Sequence, residues 1–196
     1  IIMIETAKDG KIEGEVKTYY ETGKLKEVYS VKDDKIEGTY KWYGKDGSIE
    51  INATYKNNER ETETAISTKD KKPYTGTYTE TYANGNISEV MKFTNGKRDG
   101  ETIYYYDNGK IKERIPYTQG LREGNYFYYN KVGEVIGKGA FVNDKREGQW
   151  LVYDEEDQTL IEKIYSNNLE EGPYKVYFED GKVRAEGTYK GGKLEG

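Results

Sequence analysis

The side chains best suited to chemistry in this sequence are carboxylates, amines, guanidinium groups and tyrosines. The 196 residues include 36 Asp and Glu, 31 Lys and Arg and 21 Tyr, but no His and no Cys. The chain therefore lacks the commonest general base, the imidazole that activates Ser or Cys nucleophiles, and the usual zinc ligands. Carboxylate pairs of the kind that a glycosidase uses recur throughout and are unique nowhere. We expect a protein that is not an enzyme, with no catalytic residues and no cofactor.

The one dense acidic cluster in the sequence is Asp154-Glu155-Glu156-Asp157. Carboxylates suit Ca²⁺, but this cluster lacks the alternating spacing and the turn glycine of a calcium-binding loop. We therefore expect no metal site there.

A second charged pattern places a basic residue directly before an acidic one at regular intervals: Arg60-Glu61, Arg98-Asp99, Arg122-Glu123 and Arg146-Glu147. Because a carboxylate accompanies each guanidinium and the net charge is −5, this stripe does not favour phosphate or nucleic acid. We interpret it as a solvated face whose charges pair with one another, and exposed pairs of this kind contribute little to stability.

The spacing of the glycines shows that the chain is an array. Seven full copies of a 24-residue unit begin at glycines, and the second copy is followed by 14 extra residues; the first glycines are Gly14, Gly38, Gly76, Gly100, Gly124, Gly148 and Gly172. With each of these glycines as position 1, position 6 is Tyr in six copies, position 3 is aromatic in five, position 12 is aliphatic in six, and position 24 is acidic in all seven. A period of this length is typical of repeat proteins. We name each repeat by its first glycine.

Each repeat contains the signature of a β-hairpin. Asx-Gly pairs such as Asn84-Gly85 and Asn108-Gly109 lie at positions 9 and 10 between β-prone runs, and they supply the positive φ that a type I′ turn needs at both central residues. A second turn at positions 20 and 21 links each hairpin to the next and leaves no room for a helical crossover. The sequence predicts an all-β protein, an elongated, twisted single-layer antiparallel sheet of tandem β-hairpin repeats, in which no helix exceeds about two turns.

Alternation along the strands assigns side chains to faces. Positions 12 and 18 share parity and lie on one side of their strand, which we expect to be buried or half-buried. Positions 3 and 6 have opposite parity, so either a bulge lies between them or aromatic side chains line both faces. We favour the bulge, because the glycine at position 1 indicates irregular backbone.

The extra residues divide the chain into three parts. Residues 1–61 hold a partial first unit and the Gly14 and Gly38 repeats, residues 62–75 form an irregular insertion, and residues 76–196 hold five uninterrupted repeats. We expect the sheet to bend or to gain a short extra hairpin at the insertion.

The sequence leaves the cellular compartment open. No apolar run approaches the roughly 18 residues of a membrane span, so a membrane partner is not expected. The chain begins with Ile1 instead of an initiator Met, which is consistent with removal of an upstream segment such as a signal peptide. This favours the cell envelope or the outside of the cell.

The repeat columns resemble those of a known family. The unit G-x-Y-x-x-Y-x-x-N-G-K-I, followed by Y-x-N-G-K-x-E-G and best seen in Gly100–Gly124 and Gly172–Gly196, resembles the MORN-repeat variants of bacteria, many of which are regarded as antitoxin-type proteins. The resemblance implies an elongated, twisted antiparallel sheet with a non-enzymatic role in binding or scaffolding. Classical MORN units are slightly shorter, which argues against transferring the lipid recognition proposed for some eukaryotic members.

The position-6 tyrosines are candidate partner-binding residues, because Tyr offers a large, stiff contact area with a polar tip. The same rings could instead form the core, since cross-strand aromatic pairs hold neighbouring strands together. The five repeats from Gly76 keep a constant period, so their columns can align into one surface. We expect a partner to bind there, and the candidate contacts are Tyr105, Tyr129, Tyr153, Tyr177 and Trp150.

These features predict a non-catalytic protein that binds another protein, such as a toxin or a surface partner, in the manner of an antitoxin, an immunity protein or a recruitment module. The alternative is a carbohydrate or cell-wall binding module, although Trp42 and Trp150 are the only tryptophans available for sugar stacking. We expect no nucleic-acid partner. Unpaired backbone at the terminal strands predicts self-association through sheet edges, or a segment that continues the sheet after Gly196.

Overall fold

The computed structural model describes residues 3–4, 7–8, 10–154, 157 and 159–195, and no helix occurs among them. The antiparallel hairpins confirm the predicted all-β fold class. The strands, β1 to β22 in chain order, are Met3–Ile4, Ala7–Lys8, Lys11–Ile12, Gly14–Tyr19, Leu25–Lys32, Lys35–Tyr43, Ile49–Lys56, Glu59–Ser67, Gly76–Thr81, Ile87–Thr94, Lys97–Arg98, Gly100–Tyr105, Ile111–Thr118, Leu121–Arg122, Gly124–Tyr129, Val135–Val142, Lys145–Asp154, Thr159–Ser166, Leu169–Glu170, Gly172–Tyr177, Val183–Lys190 and Lys193–Glu195.

The chain divides into two compact units. The first takes in the described residues up to Glu80 together with Lys92–Arg98, and the second takes in Thr81–Met91 and the described residues from Asp99 onwards. The first contains an antiparallel sheet in the order β1-β4-β5-β6-β7-β8. In the second, the order is β10-β12-β13-β15-β16-β17-β18-β20-β21-β22, with β14 beside β13 and β19 beside β18. Within each of these two sheets, each hairpin therefore pairs with the next one along the chain, and short connections suffice.

The inserted residues 62–75 are part strand and part loop. Thr62–Ser67 completes β8, which pairs with β7 along its length. After a turn, Pro73 returns to form a bridge with Ile66. The insertion thus begins as part of strand β8 and ends in a short segment that runs back beside it.

The two turns of the repeat differ in backbone geometry. At positions 20 and 21 both residues have positive φ, as at Asn143 (49°) and Asp144 (67°), whereas at positions 9 and 10 only the glycine does, as at Gly109 (80°). The Asx side chain at position 9 instead accepts a hydrogen bond from the backbone two residues on, as between Lys110 N and Asn108 Oδ1 at 2.9 Å. The type I′ prediction for the Asx-Gly turn is therefore wrong, and the backbone with two positive φ angles belongs to the turn between repeats.

A β-bulge interrupts the hairpin register near the Asx-Gly turn. In the Gly124 repeat Tyr128 pairs with Gly137 and Tyr129 pairs with Val135, so Ile136 faces no partner in this hairpin. The same shift occurs in the Gly14, Gly100 and Gly172 repeats. The extra residue lies in the second strand, so the bulge changes the side to which position 12 points and leaves positions 3 and 6 unaffected.

Positions 3 and 6 consequently lie on opposite faces. Tyr174, at position 3, packs against Tyr189, at position 18, with ring centroids 5.0 Å apart. Tyr177, at position 6, pairs with Leu160, and its hydroxyl donates to Glu162 Oε2 at 2.7 Å, two residues along the same neighbouring strand. Aromatic side chains therefore line both faces, and the expectation that a bulge joins the two columns is wrong. We call the face of positions 3 and 18 the core face, and that of position 6 the tyrosine face.

Aromatic packing holds the core face of the second unit together. Phe141, Trp150 and Tyr165 are buried in one cluster, with the ring centroids of Phe141 and Trp150 4.9 Å apart. Gly139, on the strand beside Trp150, makes room for the indole, because a β-carbon there would overlap the ring. In three repeats the aromatic residue at position 3 pairs with a small residue, in the pairs Tyr40–Ala53, Tyr126–Gly139 and Tyr174–Gly187.

Hydrogen bonds at the second turn join neighbouring repeats. The position-24 carboxylate of one repeat accepts from the backbone N–H at position 20 of the following repeat, as in Glu147 Oε2 to Asn167 N at 2.8 Å. The position-21 side chain accepts from the backbone at position 23 of the preceding repeat, as in Asp144 Oδ1 to Arg122 N at 2.8 Å. In four repeats the acidic residue at position 24 is thus explained by the turn that it caps. The same bond recurs in the pairs Glu37–Asn57, Glu123–Asn143 and Glu171–Gly191.

The arginines at position 23 do not form the solvated, self-paired stripe predicted from the sequence. The guanidinium of Arg122 lies 4.3 Å from the ring centroid of Phe141, and that of Arg146 lies 5.2 Å from that of Trp150. The acidic residues that follow these two arginines, Glu123 and Glu147, bond to the next turn instead. The prediction is wrong because adjacent residues of an extended chain point in opposite directions.

We predict that Gly139→Ala destabilises the second unit, because the new methyl group and the Trp150 indole would occupy the same space. Overpacking of this kind lowers the free energy of unfolding by about 1–3 kcal/mol. Urea denaturation followed by tryptophan fluorescence measures the loss. Lys138→Ala, at the neighbouring exposed position, is the control and should leave the free energy of unfolding unchanged; equal effects of the two substitutions would contradict the packing.

We also predict that Glu147→Ala weakens the joint between the Gly124 and Gly148 repeats. The substitution removes the acceptor of the Asn167 N–H, and a hydrogen bond to a charged group is worth about 1.5–3 kcal/mol. Amide hydrogen exchange should show faster exchange at Asn167. Glu179→Ala, at an exposed position, serves as the control, and an unchanged exchange rate at Asn167 in Glu147→Ala would rule out the proposed cap.

Candidate functional site

The structure brings the four predicted tyrosines onto one face and places the tryptophan on the other. Tyr105, Tyr129, Tyr153 and Tyr177 are half-buried residues of the tyrosine face. Trp150 lies in the core face with 4% of its surface exposed. The tyrosines are therefore open to contact along one side, whereas Trp150 is mainly a packing residue.

Local contacts fix the orientation of the tyrosine face. The Tyr177 hydroxyl bonds to Glu162, and this hydrogen bond, with a smaller effect of burial, raises the pKa of Tyr177 above its ordinary value. The Tyr129 ring lies 6.3 Å from that of Phe127. The hydroxyl of Tyr106, at position 7, donates to the backbone carbonyl of Tyr129 at 2.6 Å. Sequence analysis missed the position-7 tyrosines, although Tyr20, Tyr82 and Tyr106 form a visible column.

Exposed aliphatic side chains lie beside the tyrosines. Val135 pairs with Tyr129 and Val183 with Tyr177, and these two valines are 43% and 45% exposed. Sequence parity placed position 12 on the buried side, and for these residues that expectation is wrong, because the bulge moves them to the tyrosine face. The result is a surface of half-buried aromatic and exposed aliphatic groups.

The core face of the second unit contains a cavity of about 310 Å³. It lies beside Gly137, whose lack of a side chain leaves space on the core face. Its lining includes Glu113, Arg122, Tyr126, Gly137, Arg146 and Trp150. The cavity therefore combines aromatic walls with both signs of charge.

Most polar groups of the cavity already have partners. The Tyr126 hydroxyl donates to Glu113 Oε1 at 2.9 Å, and burial, followed by the charge of Glu113, raises the pKa of Tyr126 well above its ordinary value. This hydroxyl therefore stays protonated and donates at neutral pH. Arg122 Nε donates to Asp144 Oδ1 at 3.0 Å. The Trp150 indole N–H, in contrast, is buried and has no hydrogen-bond partner among the described residues.

Within the described residues, no group of three or more Asp and Glu side chains is placed to hold a metal ion. In the acidic cluster, Glu155 and Glu156 lie outside those residues, and Asp154 Oδ1 accepts from Asp157 N at 3.2 Å. No helix in the described residues is long and apolar enough to cross a membrane.

Four segments of the chain match the family model described as MORN repeat variant: residues 12–33, 36–57, 98–119 and 170–190. Each match starts at position 23 of one unit and runs through the hairpin of the next, so it includes the residues that join two repeats. No curated protein matches the chain. MORN repeats generally act as modules of protein or membrane interaction and are typically non-enzymatic. The matches extend from the first full repeat to the last, and the chain contains repeats of the MORN repeat variant type.

Proposed function

We propose that this protein is a non-catalytic interaction module that binds another protein through the tyrosine face of its second unit. The observation that carries the proposal is the exposure of Val135 and Val183 beside the half-buried Tyr129 and Tyr177. An antitoxin, an immunity protein or a surface recruitment module works in this way, because it covers part of a partner and catalyses no reaction.

The chemistry of the face suits a protein partner. Burial of exposed aliphatic groups at an interface is favourable, by roughly 25 cal/mol per Å² of apolar surface removed from water. Tyrosines beside them add large rings with a hydroxyl that can bond to a partner's backbone, and such residues are enriched among interface hot spots.

The face is also held in shape before any partner arrives. The hydrogen bond from Tyr177 to Glu162 fixes the Tyr177 ring. The hydrogen bond from Tyr106 to the Tyr129 carbonyl fixes the backbone at Tyr129. Less conformational entropy is then lost on binding, which raises the affinity obtained from a given contact area.

The test compares substitutions of equal chemistry on and off the face. The intact chain is used to recover a protein partner from its native lysate and envelope fractions, and the purified pair is studied by calorimetry. We predict that Val135→Lys with Val183→Lys weakens binding at least tenfold, because unpaired charges would be desolvated at the interface. Both side chains are exposed in the free protein, so the fold should be retained, as a preserved melting transition would show.

Leu169→Lys is the matched control, because Leu169 is 54% exposed and lies in the short strand β19 at the turn between repeats. It should bind the partner as the unchanged protein does. The proposal fails if the double variant binds with unchanged affinity, or if neither lysate nor envelope yields a protein partner.

A further inference from the structure

A row of side chains crosses the tyrosine face of the second unit at right angles to its strands. The pairing of neighbouring strands defines the row, whose members in order across the sheet are Phe127, Lys138, Leu151, Glu162 and Lys175. Leu151 lies two residues before Tyr153 on the same strand, so both side chains point to the tyrosine face. Residues directly opposite each other on neighbouring strands share a face. We call these five residues the cross-strand row.

The order of charges in the cross-strand row is complementary to its own reverse. Leu151 lies at the middle, with the cation of Lys138 on one side and the anion of Glu162 on the other. One strand further out, the Phe127 ring lies beyond Lys138, and the Lys175 cation lies beyond Glu162. A twofold axis beside Leu151 and parallel to the strands therefore sets Lys138 of one copy against Glu162 of another. The same axis sets Phe127 against Lys175, a pairing of ring and cation.

The charges of the cross-strand row are available for contacts between copies. Lys138, Glu162 and Lys175 are all exposed. None of the three forms an ion pair among the residues that the structure describes. Glu162 accepts the Tyr177 hydroxyl through one of its two carboxylate oxygens. Opposite charges that face each other across an interface fix its register and disfavour other arrangements.

The same twofold axis matches the apolar part of the tyrosine face with itself. Tyr153 lies on the central strand β17, and Tyr129 and Tyr177 hold the same position one repeat before and one repeat after it. Rotation about the axis brings Tyr129 towards Tyr177 of the second copy. It also brings Val135 on β16 towards Leu160 on β18, because these strands flank β17. Both halves of the contact are identical, as in an isologous interface.

The size of the face sets the strength of such a contact. The repeats from Gly124 to Gly172 contribute six strands, β15 to β18, β20 and β21. At about 4.8 Å between strands and about 20 Å of strand length, they present roughly 600 Å² on each copy. Two such faces bury about 1,200 Å², the lower end of the range for specific interfaces. Since sheets twist by about 20° per strand, contact is closest beside Leu151.

From these observations we propose that the tyrosine face of the second unit binds a second copy of this chain, in a twofold dimer centred on Leu151 and held by ion pairs between Lys138 and Glu162. The dimer is weak and reversible, so dilute protein is monomeric and its tyrosine face is exposed. The inference rests on the cross-strand row and not on the proposed function. A protein partner that binds the same face competes with the second copy.

Sedimentation equilibrium of the intact chain across a wide range of concentrations tests the proposal. We expect a monomer that converts reversibly to a dimer and to no larger species, because a twofold contact closes on itself. Lys138→Glu and Glu162→Lys each place like charges at both contacts of the dimer. Each should raise the dissociation constant at least tenfold, while a preserved melting transition shows that the variant is folded.

An equimolar mixture of the two single variants is the decisive sample. In a mixed dimer, the two introduced charges are opposite and meet at one contact, and the other contact keeps its original pair. Dimers should therefore form in the mixture, although each variant alone is monomeric at the same concentration. Lys131→Glu mixed with Glu179→Lys is the matched control, because both residues are exposed and lie in turns outside the cross-strand row. The control variants should associate as the unchanged protein does, both alone and mixed.

Three results would each overturn the proposal: a monomer at every concentration, dimers that persist in both single variants, or a decisive mixture that stays monomeric. A series of species larger than a dimer would do the same, because it indicates pairing through sheet edges. The assay contains no protein partner, so its outcome does not affect the Val135 and Val183 test. Failure of the dimer and failure of the proposed function can therefore be told apart.

Discussion

The bond from the position-24 carboxylate to the next turn is the interaction on which the rest of each sheet depends. Glu123 and Glu147 each cap a turn whose two residues have positive φ. Such a turn exposes backbone donors, and the carboxylate of the preceding repeat satisfies one of them. Since a slip of one residue would exchange the two faces of a strand, this bond fixes which side chains reach the core face.

Once the register is fixed, the two faces can have different roles. The core face buries its aromatic rings within a single sheet by pairing a large residue with a small one, as Trp150 packs over Gly139. The absence of a side chain at Gly137 leaves a cavity beside that residue. On the tyrosine face, in contrast, Val135 and Val183 are exposed. A single layer of repeats thus provides stability on one side and a contact surface on the other.

Much of the fold could be predicted from the sequence because the turn chemistry is local. Asx-Gly pairs and the 24-residue period are sufficient to predict antiparallel hairpins. The exposure of Val135 could not be predicted, because it depends on an unpaired Ile136 in a bulge that parity does not reveal. The cap from Glu147 to Asn167 joins residues 20 apart, and the cavity requires Arg146 and Trp150 to meet on one face. These features depend on pairing between strands, which a single sequence does not specify.

Hydroxyl-radical footprinting of the tyrosines tests the separation of the two faces most directly. Comparison within one residue type removes differences in intrinsic reactivity. Tyr129 and Tyr177 are half-buried on the tyrosine face, whereas Tyr117 and Tyr165 are only 8% and 6% exposed on the core face. The structure predicts that the first pair is oxidised several times faster than the second. Equal oxidation of the two pairs, or faster oxidation of Tyr165 than of Tyr129, would contradict the assignment of core and contact faces.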